Sequence, residues 1–286
     1  NGNKENVQAD RSLIMNEDGS VILNNTVVLE NNYTSSMGGG IYNDGSLHMK
    51  GGVIQNNKSD FAGGGIYNYY GKSATILGGS IRSNEATNEG GGIGNYGGTI
   101  SLCGGSIHDN KAIYGGGIEN SGGTLNISGG KIYYNKALYG AGLSLNETND
   151  NTMSGGEIFS NTGIDEEGIV IGKGVDVVLV SFTILGDVSI ASDNEVSLFD
   201  YNGFMIWKSL ITVKDSLSED IPVIKVAKYY YDSGEMKYYY PVGDQIIKPS
   251  KGYTLTALDI SKFQMLDNTY GINSLGKLAY SLNENW

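Results

Sequence analysis

The stretch GGGIENSGGTLNISGGKIYYN, residues 115–135, decides the fold of this chain. It contains a glycine triplet followed by Ile and Asn, and then a glycine pair followed by Ile and a second Asn. Copies of the triplet, the last one degenerate, begin at Gly38, Gly63, Gly90, Gly115 and Gly140, so subtraction gives spacings of 25, 27, 25 and 25 residues. Self-similarity at a period of about 20 to 50 residues is the signature of a solenoid.

Each copy is built from short apolar runs separated by Gly, Ser and Asn, with no apolar stripe at helical spacing. Such a pattern favours strands. The run between the triplet and the pair alternates, as in Leu125 and Ile127, which indicates one buried face. Three short strands fit into one copy only if the chain makes a full circuit and stacks on the next circuit ~4.8 Å away. We therefore predict an all-β parallel β-helix with three short strands per coil.

Equivalent positions of successive copies should lie over one another in such a helix. Two inward apolar columns are predicted, one of Met49, Ile76, Leu102, Ile127 and Met153, and one of Ile54, Ile81, Ile107, Ile132 and Ile158. A structural amide ladder is predicted from Asn57, Asn84, Asn110, Asn135 and Asn161, because buried amides need hydrogen-bond partners. The glycines are assigned to corners and close backbone approaches. A phosphate-binding role is disfavoured because no helix follows them.

The alternation of Gly-Gly-Gly-Ile-Tyr-Asn with Gly-Gly-x-Ile-x-x-Asn resembles the repeats of the polymorphic outer-membrane proteins and related right-handed β-helix surface proteins of bacteria. It is also similar to glycine-rich arrays in large surface proteins of gut Firmicutes. The resemblance covers about residues 25–163. It implies a right-handed parallel β-helix of the pectin-lyase-like fold. It also implies an extracellular location, either secreted or on the cell surface, and membership of a larger surface protein. It implies no particular activity, which must be argued from a site.

The chain is expected to divide in two. The β-helix is predicted over residues 1–215, with regular coils at about 25–163 and irregular coils and a cap up to 215, because the glycine pairs vanish after Asn161. Residues 216–286 contain all three prolines and two tyrosine triplets around a polar turn. This pattern predicts a small C-terminal β appendage with a tyrosine-rich hairpin.

Composition excludes several classes of function. The net charge is −12, and the two arginines, Arg11 and Arg82, leave no basic stripe for a nucleic acid. No run of eighteen apolar residues is present, so no membrane span is expected. Acidic residues do not recur at a fixed slot, and the two histidines, His48 and His108, are far apart in sequence. We therefore expect neither a metal site nor a cofactor.

Enzymes with the pectin-lyase-like fold act on polysaccharides along an outer face, so a polysaccharide lyase or glycoside hydrolase is an alternative. The slots after the repeat Ile bring Arg82, His108 and Asp109 to one face, and Glu119 occupies the outward slot after the triplet Ile. These four residues are the catalytic candidates. A hydrolase needs paired carboxylates, and a lyase needs clustered acidic calcium ligands and a base. No acidic column meets either requirement, so a non-enzymatic role is preferred.

Tyrosine is the most prominent residue of the variable positions, with 20 in the chain. Exposed tyrosines suit both protein interfaces and sugar stacking, although aromatic side chains on stacked strands can also pack on one another. The predicted binding residues are Tyr42, Tyr67, Tyr133, Tyr134, Tyr230 and Tyr239. The leading hypothesis is an adhesin-type bacterial surface module that binds a host glycan, or a host surface or secreted protein. A purely structural stalk is the other alternative.

Overall fold

The chain changes direction at each glycine triplet and at each glycine pair and then enters a short strand. These strands stack in parallel from coil to coil. The computed structural model describes residues 10–146, 151–163, 174–178, 181–186, 188–190, 195–201, 210–232, 237–239, 243, 245–267 and 269–280. These residues form a parallel β-helix with one short α-helix, so the predicted fold class is confirmed.

Two rows of parallel strands follow the triplets. The triplet sheet holds the strands directly after each triplet and their C-terminal equivalents: Ile14–Leu23, Ile41–Met49, Ile66–Asn68, Ile93–Tyr96, Ile118–Ser121, Leu143–Asn146, Gly174–Val178, Glu195–Tyr201, Ile224–Asp232 and Phe263–Met265. The middle sheet holds Ser73–Ile76, Thr99–Leu102, Thr124–Ile127, Asn151–Met153, Ser181–Gly186, Leu210–Leu217 and Ile247–Pro249. The rows join in the first two coils, where one long strand serves both.

Two further rows follow the glycine pairs. The pair sheet holds Val28–Glu30, Val53–Gln55, Ser80–Arg82, Ser106–His108, Lys131–Tyr133, Glu157–Phe159 and Ser189–Ile190. A row of two-residue strands comes after the repeat Asn: Tyr33–Thr34, Lys58–Ser59, Glu85–Ala86, Lys136–Ala137 and Thr162–Gly163. The sequence prediction of three strands per coil did not include this fourth row, whose members are too short to form a recognisable apolar run.

Strand register confirms both predicted apolar columns. Ile54 pairs with Ile81, Ile81 with Ile107, and the row continues to Ile158, every member being buried. The column from Met49 to Met153 is buried as well. The core is thus a set of parallel stacks, in which each side chain packs mainly on its counterpart in the next coil.

The predicted amide ladder is also confirmed. In Asn84, the backbone N–H and Nδ2 both donate to Asn110 Oδ1, at 3.0 and 3.1 Å, and Nδ2 also donates to the Ile54 carbonyl at 2.9 Å. The same pattern runs from Asn57 to Asn161. These asparagines are buried and fully engaged with one another, so their role is structural.

A second amide ladder, which the sequence analysis missed, lies beneath the triplet sheet. Its side chains are linked from Nδ2 to Oδ1 over 2.5 to 2.8 Å, in the order Asn16, Asn43, Asn68, Asn95, Asn120 and Asn151. The signal was present as the Asn two residues after each triplet Ile. In the last regular coil Leu145 takes this slot, and the ladder continues through Asn151 of the middle sheet instead.

Parallel pairing continues beyond residue 215. Strand Ile224–Asp232 pairs with Glu195–Tyr201 and then with Phe263–Met265, and Ile247–Pro249 pairs with Leu210–Leu217. Buried apolar residues of this segment belong to the same core as the regular coils. The predicted division at residue 215 therefore does not coincide with a break in strand pairing. Residues 202–209, which the sequence analysis assigned to the C-terminal cap of the β-helix, lie outside the residues that the structure describes.

The helix Ala257–Ser261 is tied to the last coils by the buried Asp259. Thr256 is its N-cap in a capping box with Asp259. The Asp259 carboxylate also accepts from the Leu217 N–H at 3.1 Å and from the Tyr253 hydroxyl at 2.6 Å. Burial by itself would raise the pKa of Asp259, but the hydrogen bonds from Tyr253, Thr256 and Leu217 outweigh it and lower the pKa below its usual value of 3.8.

We expect Asp259→Asn to destabilise the protein by about 2 kcal/mol near neutral pH, because an amide cannot accept all of these bonds. The folded pKa is depressed, so this contribution is present above about pH 4 and is lost as the pH falls through the folded pKa. Urea unfolding of both proteins between pH 7 and pH 2 measures it, and the difference should shrink in acid. A difference that stays constant with pH would contradict the role given to the carboxylate.

Candidate functional site

The outer face of the pair sheet carries a continuous row of side chains, one from each coil. Strand register places Gln55, Arg82, His108, Tyr133 and Phe159 side by side. The Arg82 Nε donates to Gln55 Oε1 at 3.0 Å. The rings of His108, Tyr133 and Phe159 stack with centroids 4.7 and 5.0 Å apart and interplanar angles of 5° and 2°. Arg82 and His108 thus lie on one face, as predicted.

His108 is held by hydrogen bonds at both ring nitrogens. Its Nδ1 lies 2.6 Å from Asp109 Oδ2, and its Nε2 lies 2.9 Å from Ser80 Oγ. An ionised carboxylate can only accept, so in the neutral ring Nδ1 carries the proton and Nε2 accepts from the Ser80 hydroxyl. Ser80 was not among the predicted site residues. It occupies a different outward slot, two residues before Arg82 on the same strand, and reaches His108 diagonally.

In each regular coil the strand of the pair sheet is followed by a turn. The first residue of this turn has a positive φ, in the left-handed region. Asp109 has φ 56° and Tyr134 has φ 54°, and the equivalent residues of the other regular coils have similar values. Asp adopts this conformation with little strain, whereas a bulky Tyr rarely does. Tyr134 is 53% exposed, and its ring meets Tyr133 edge-on at 5.2 Å. Of the two tyrosines predicted here for binding, Tyr134 is thus the more accessible.

The slot after the triplet Ile requires a correction. It was expected to be open to solvent, but Tyr67 is 5% exposed and Glu119 is 4% exposed. The turn that leads into the triplets covers this slot: a Cβ on Gly94 would lie 3.0 Å from the Gly63 nitrogen and 3.5 Å from the Ala62 Cβ. Tyr67 therefore offers no ring face to a ligand, and Glu119 is not a surface carboxylate. The half-buried Tyr42, in the preceding coil, stacks on Tyr67 at 5.5 Å.

Burial and nearby negative charge disfavour ionisation of the tyrosine hydroxyls around the covered slot. Desolvation raises the pKa of the Tyr67 hydroxyl, and Tyr42, Tyr96 and the Glu89 carboxylate add to the effect. Desolvation likewise raises the pKa of Tyr114, together with Tyr139, Glu119 and Glu89. Each hydroxyl therefore stays neutral and can donate a hydrogen bond.

Beside this covered slot lies a tyrosine patch, formed by Tyr42, Tyr69, Tyr70 and Tyr96 on adjacent coils. Tyr69 stacks on Tyr42 at 6.1 Å, and the ring of Tyr70 lies over Gly97, next to Tyr96. The exposed fractions are 39% for Tyr69, 67% for Tyr70 and 53% for Tyr96. Of these four, only Tyr42 was among the predicted binding residues, because the others lie in turns or at strand ends, where the repeat pattern does not fix the orientation of a side chain.

A shallow trough of about 600 Å³ follows the glycine pairs. Its lining consists of Gly104, Gly105, Gly129, Gly130, Lys131, Gly156, Glu157 and Ser189. Lys131 and Glu157 form an ion pair at 3.0 Å on its edge. The floor is almost entirely backbone, because the corner excludes side chains: Gly105 has φ 76°, and a Cβ there would lie 2.7 Å from the Gly79 carbonyl oxygen.

The tyrosine-rich hairpin is present in the backbone. Strand Ile224–Asp232 pairs in antiparallel fashion with Lys237–Tyr239, which places Tyr230 opposite Tyr239. The side chains of these two tyrosines lie outside the described part, so their predicted binding role stays a prediction.

No family model, curated protein or solved structure matches the chain. What the fold defines is the class, a parallel β-solenoid. Within the described ranges, no cluster of three or more His, Cys, Asp or Glu side chains is placed to hold a metal ion. Across the same ranges, no helix combines the length and apolar character required to cross a bilayer.

Proposed function

We propose that this chain is an extracellular bacterial surface module of the adhesin type, which binds a host glycan through the tyrosine patch. The observation that carries the proposal is the exposure of Tyr69, Tyr70 and Tyr96 on adjacent coils. The surface location and a pectin-lyase-like architecture are inferred from the resemblance of the glycine repeats to bacterial β-helix surface proteins. The parallel β-helix is compatible with both.

The geometry of the patch suits a sugar. Exposed tyrosines provide an apolar ring and a hydroxyl in one side chain, at a small entropic cost. Gly97 has no side chain, which leaves room for the Tyr70 ring: a Cβ there would lie 2.3 Å from Tyr70 Cδ2. A rigid scaffold holds these rings in place, so little freedom is lost on binding.

The charges near the patch define the kind of glycan. Asp44 lies two residues after Tyr42 on the same strand. Asp18 and Asp44 share one cation, Lys72, at 2.6 and 3.1 Å, and Glu89 contributes negative potential at Tyr67. The chain as a whole carries a net charge of −12. Uronic or sialic acids would be repelled by this surface. The proposed ligand is therefore a neutral glycan.

We expect Tyr96→Ala to weaken binding to a neutral glycan by about tenfold, because one exposed aromatic contact contributes on the order of 1 kcal/mol. A glycan array identifies the ligand, and titration calorimetry on the whole chain measures the change. The matched control is Tyr134→Ala, since Tyr134 is equally exposed, at 53%, but lies on the other face. It should leave the affinity unchanged.

Three results would contradict this proposal. A loss of affinity in Tyr134→Ala alone would move the binding surface to the pair sheet. Preference for acidic over neutral glycans would contradict the charge argument. Binding to host cells that survives enzymatic removal of their glycans would indicate a host protein as the ligand.

A further inference from the structure

We propose a second site, distinct from the tyrosine patch, in which Ser80, His108 and Asp109 hydrolyse a carboxylic ester. The three side chains form one line of hydrogen bonds, from Ser80 Oγ to His108 Nε2 at 2.9 Å and from His108 Nδ1 to Asp109 Oδ2 at 2.6 Å. This is the order of contacts found in serine hydrolases, which are recognised by geometry and roles and occur on unrelated folds.

The imidazole is fixed in the orientation that the chemistry needs. Asp109 holds the Nδ1 proton, so Nε2 presents its lone pair to the serine hydroxyl. Tyr133 stacks on one face of the ring at 4.7 Å, with an interplanar angle of 5°. The His108 side chain is 14% exposed, whereas that of Asp109 is 53% exposed. Three separate contacts therefore restrain the ring before any ligand binds.

The proposed reaction has two steps. Ser80 Oγ attacks the ester carbonyl while its proton passes to His108 Nε2; the ester C–O bond breaks, and the alcohol leaves with that proton. A water molecule then attacks the acyl-serine, giving its proton to His108, and the carboxylic acid departs as Ser80 regains a proton. Arg82 lies two residues along the same strand on the same face, ~7 Å away at the backbone, and is the group assigned to the developing oxyanion.

The glycine trough indicates the form of the substrate. Ser80 follows Gly79, whose carbonyl accepts a hydrogen bond from the Ser106 N–H at 2.9 Å, directly after Gly105 in the lining of the trough. An extended chain could lie on this backbone floor, beside the Lys131–Glu157 ion pair, and pass Ser80, because the glycines of the corner carry no side chains. The trough is shallow and offers no deep cavity for a long acyl group. The substrate class is therefore a linear polymer that carries short O-acyl groups, such as acetyl esters.

The chain contains its own control. Ser46 Oγ lies 3.1 Å from His48 Nε2, which repeats the serine–histidine contact. No carboxylate bonds to His48 in the described part of the molecule. If a hydroxyl beside an imidazole were sufficient, both serines would react alike. If the carboxylate is required, only Ser80 will react.

The test uses the whole chain with a fluorophosphonate and with p-nitrophenyl acetate. We expect the fluorophosphonate to modify Ser80 and not Ser46, as located by peptide mass mapping. Ser80→Ala should abolish the modification and lower kcat for the ester by about 100-fold, while Ser46→Ala changes neither. Circular dichroism of each variant confirms that the β-helix is intact.

Asp109 is a positioning residue, and Asp109→Asn tests it. The new amide can donate to Nδ1 and so favours the tautomer in which Nε2 carries the proton and cannot accept from Ser80. We expect kcat to fall by about 10-fold or more, with KM changed less than about twofold. Absence of fluorophosphonate modification, equal modification of Ser46, or an unchanged kcat in Ser80→Ala would overturn the proposal.

Discussion

Gly91→Ala is expected to destabilise the protein by about 3 kcal/mol or more, because the stack of coils has no room for the added methyl group. Gly91 is the middle glycine of a triplet, and its φ does not lie in the left-handed region. Alanine can therefore adopt its conformation. The cost is steric: a Cβ would lie 2.5 Å from the carbonyl oxygens of Gly116 and Lys111. Both atoms belong to backbone that is fixed in the stack, so neither can move away without disturbing the next coil.

The control for this variant is Gly71→Ala. Gly71 has φ 73°, and nothing lies within 4 Å of the position of a Cβ. Its substitution should cost only about 1–2 kcal/mol, because the left-handed conformation alone disfavours alanine. Chemical denaturation of both variants gives the comparison. Equal losses of stability would mean that backbone conformation, and not the contact between coils, requires glycine in the triplet.

Asn110→Ala is expected to cost about 3 kcal/mol, because it breaks the first amide ladder in its centre. The Asn84 backbone N–H and Nδ2 would both lose their acceptor, Asn110 Oδ1. The carbonyl oxygen of Ile81 would lose the Asn110 Nδ2 donor. Buried groups left without partners cost about 1–3 kcal/mol each, and partial relaxation reduces the sum.

The neighbouring Asp109→Ala provides the comparison, with an expected cost of about 1 kcal/mol. Asp109 is exposed, and its substitution removes a surface contact and a residue that tolerates positive φ. Urea unfolding measures both changes. Native-state hydrogen exchange adds a local readout, since the Asn84 amide should lose protection in Asn110→Ala only. Equal costs for the two substitutions would contradict the ladder.

Fixed positions of the repeat were predictable from the sequence because they recur at the same offset. Ile107, Asn110 and the glycines occupy equivalent positions in every regular coil, and the structure buries them in columns as expected. The same reasoning identified which slots point away from the core. The repeat pattern could not show that the turn before each triplet covers the slot after the triplet Ile. That contact joins two segments that occupy different positions of the repeat. Tyr67 and Glu119 were therefore expected at the surface.

The sequence could group the residues of the Ser80–His108–Asp109 site only where they occupy the same position of the repeat. Arg82 and His108 were grouped because they occupy the same slot on successive coils. Ser80 was missed because it bonds to His108 across two slots, and a diagonal contact depends on the rotamers of both side chains. The tyrosine patch was missed for a related reason. The ring of Tyr70 lies against Gly97 of the next coil, in a turn where the repeat pattern does not fix the orientation of side chains.

The two amide ladders also determine how the molecule responds to mechanical load. Their hydrogen bonds run along the axis of the β-helix, in the same direction as the bonds between strands. Tension on the whole stack along its axis would load all the bonds of one interface together. Tension applied through a chain end would instead peel one coil at a time, and each coil of about 25 residues would release up to roughly 80 Å of extended chain. The repeat would then extend in discrete steps under force while the coils below remain folded.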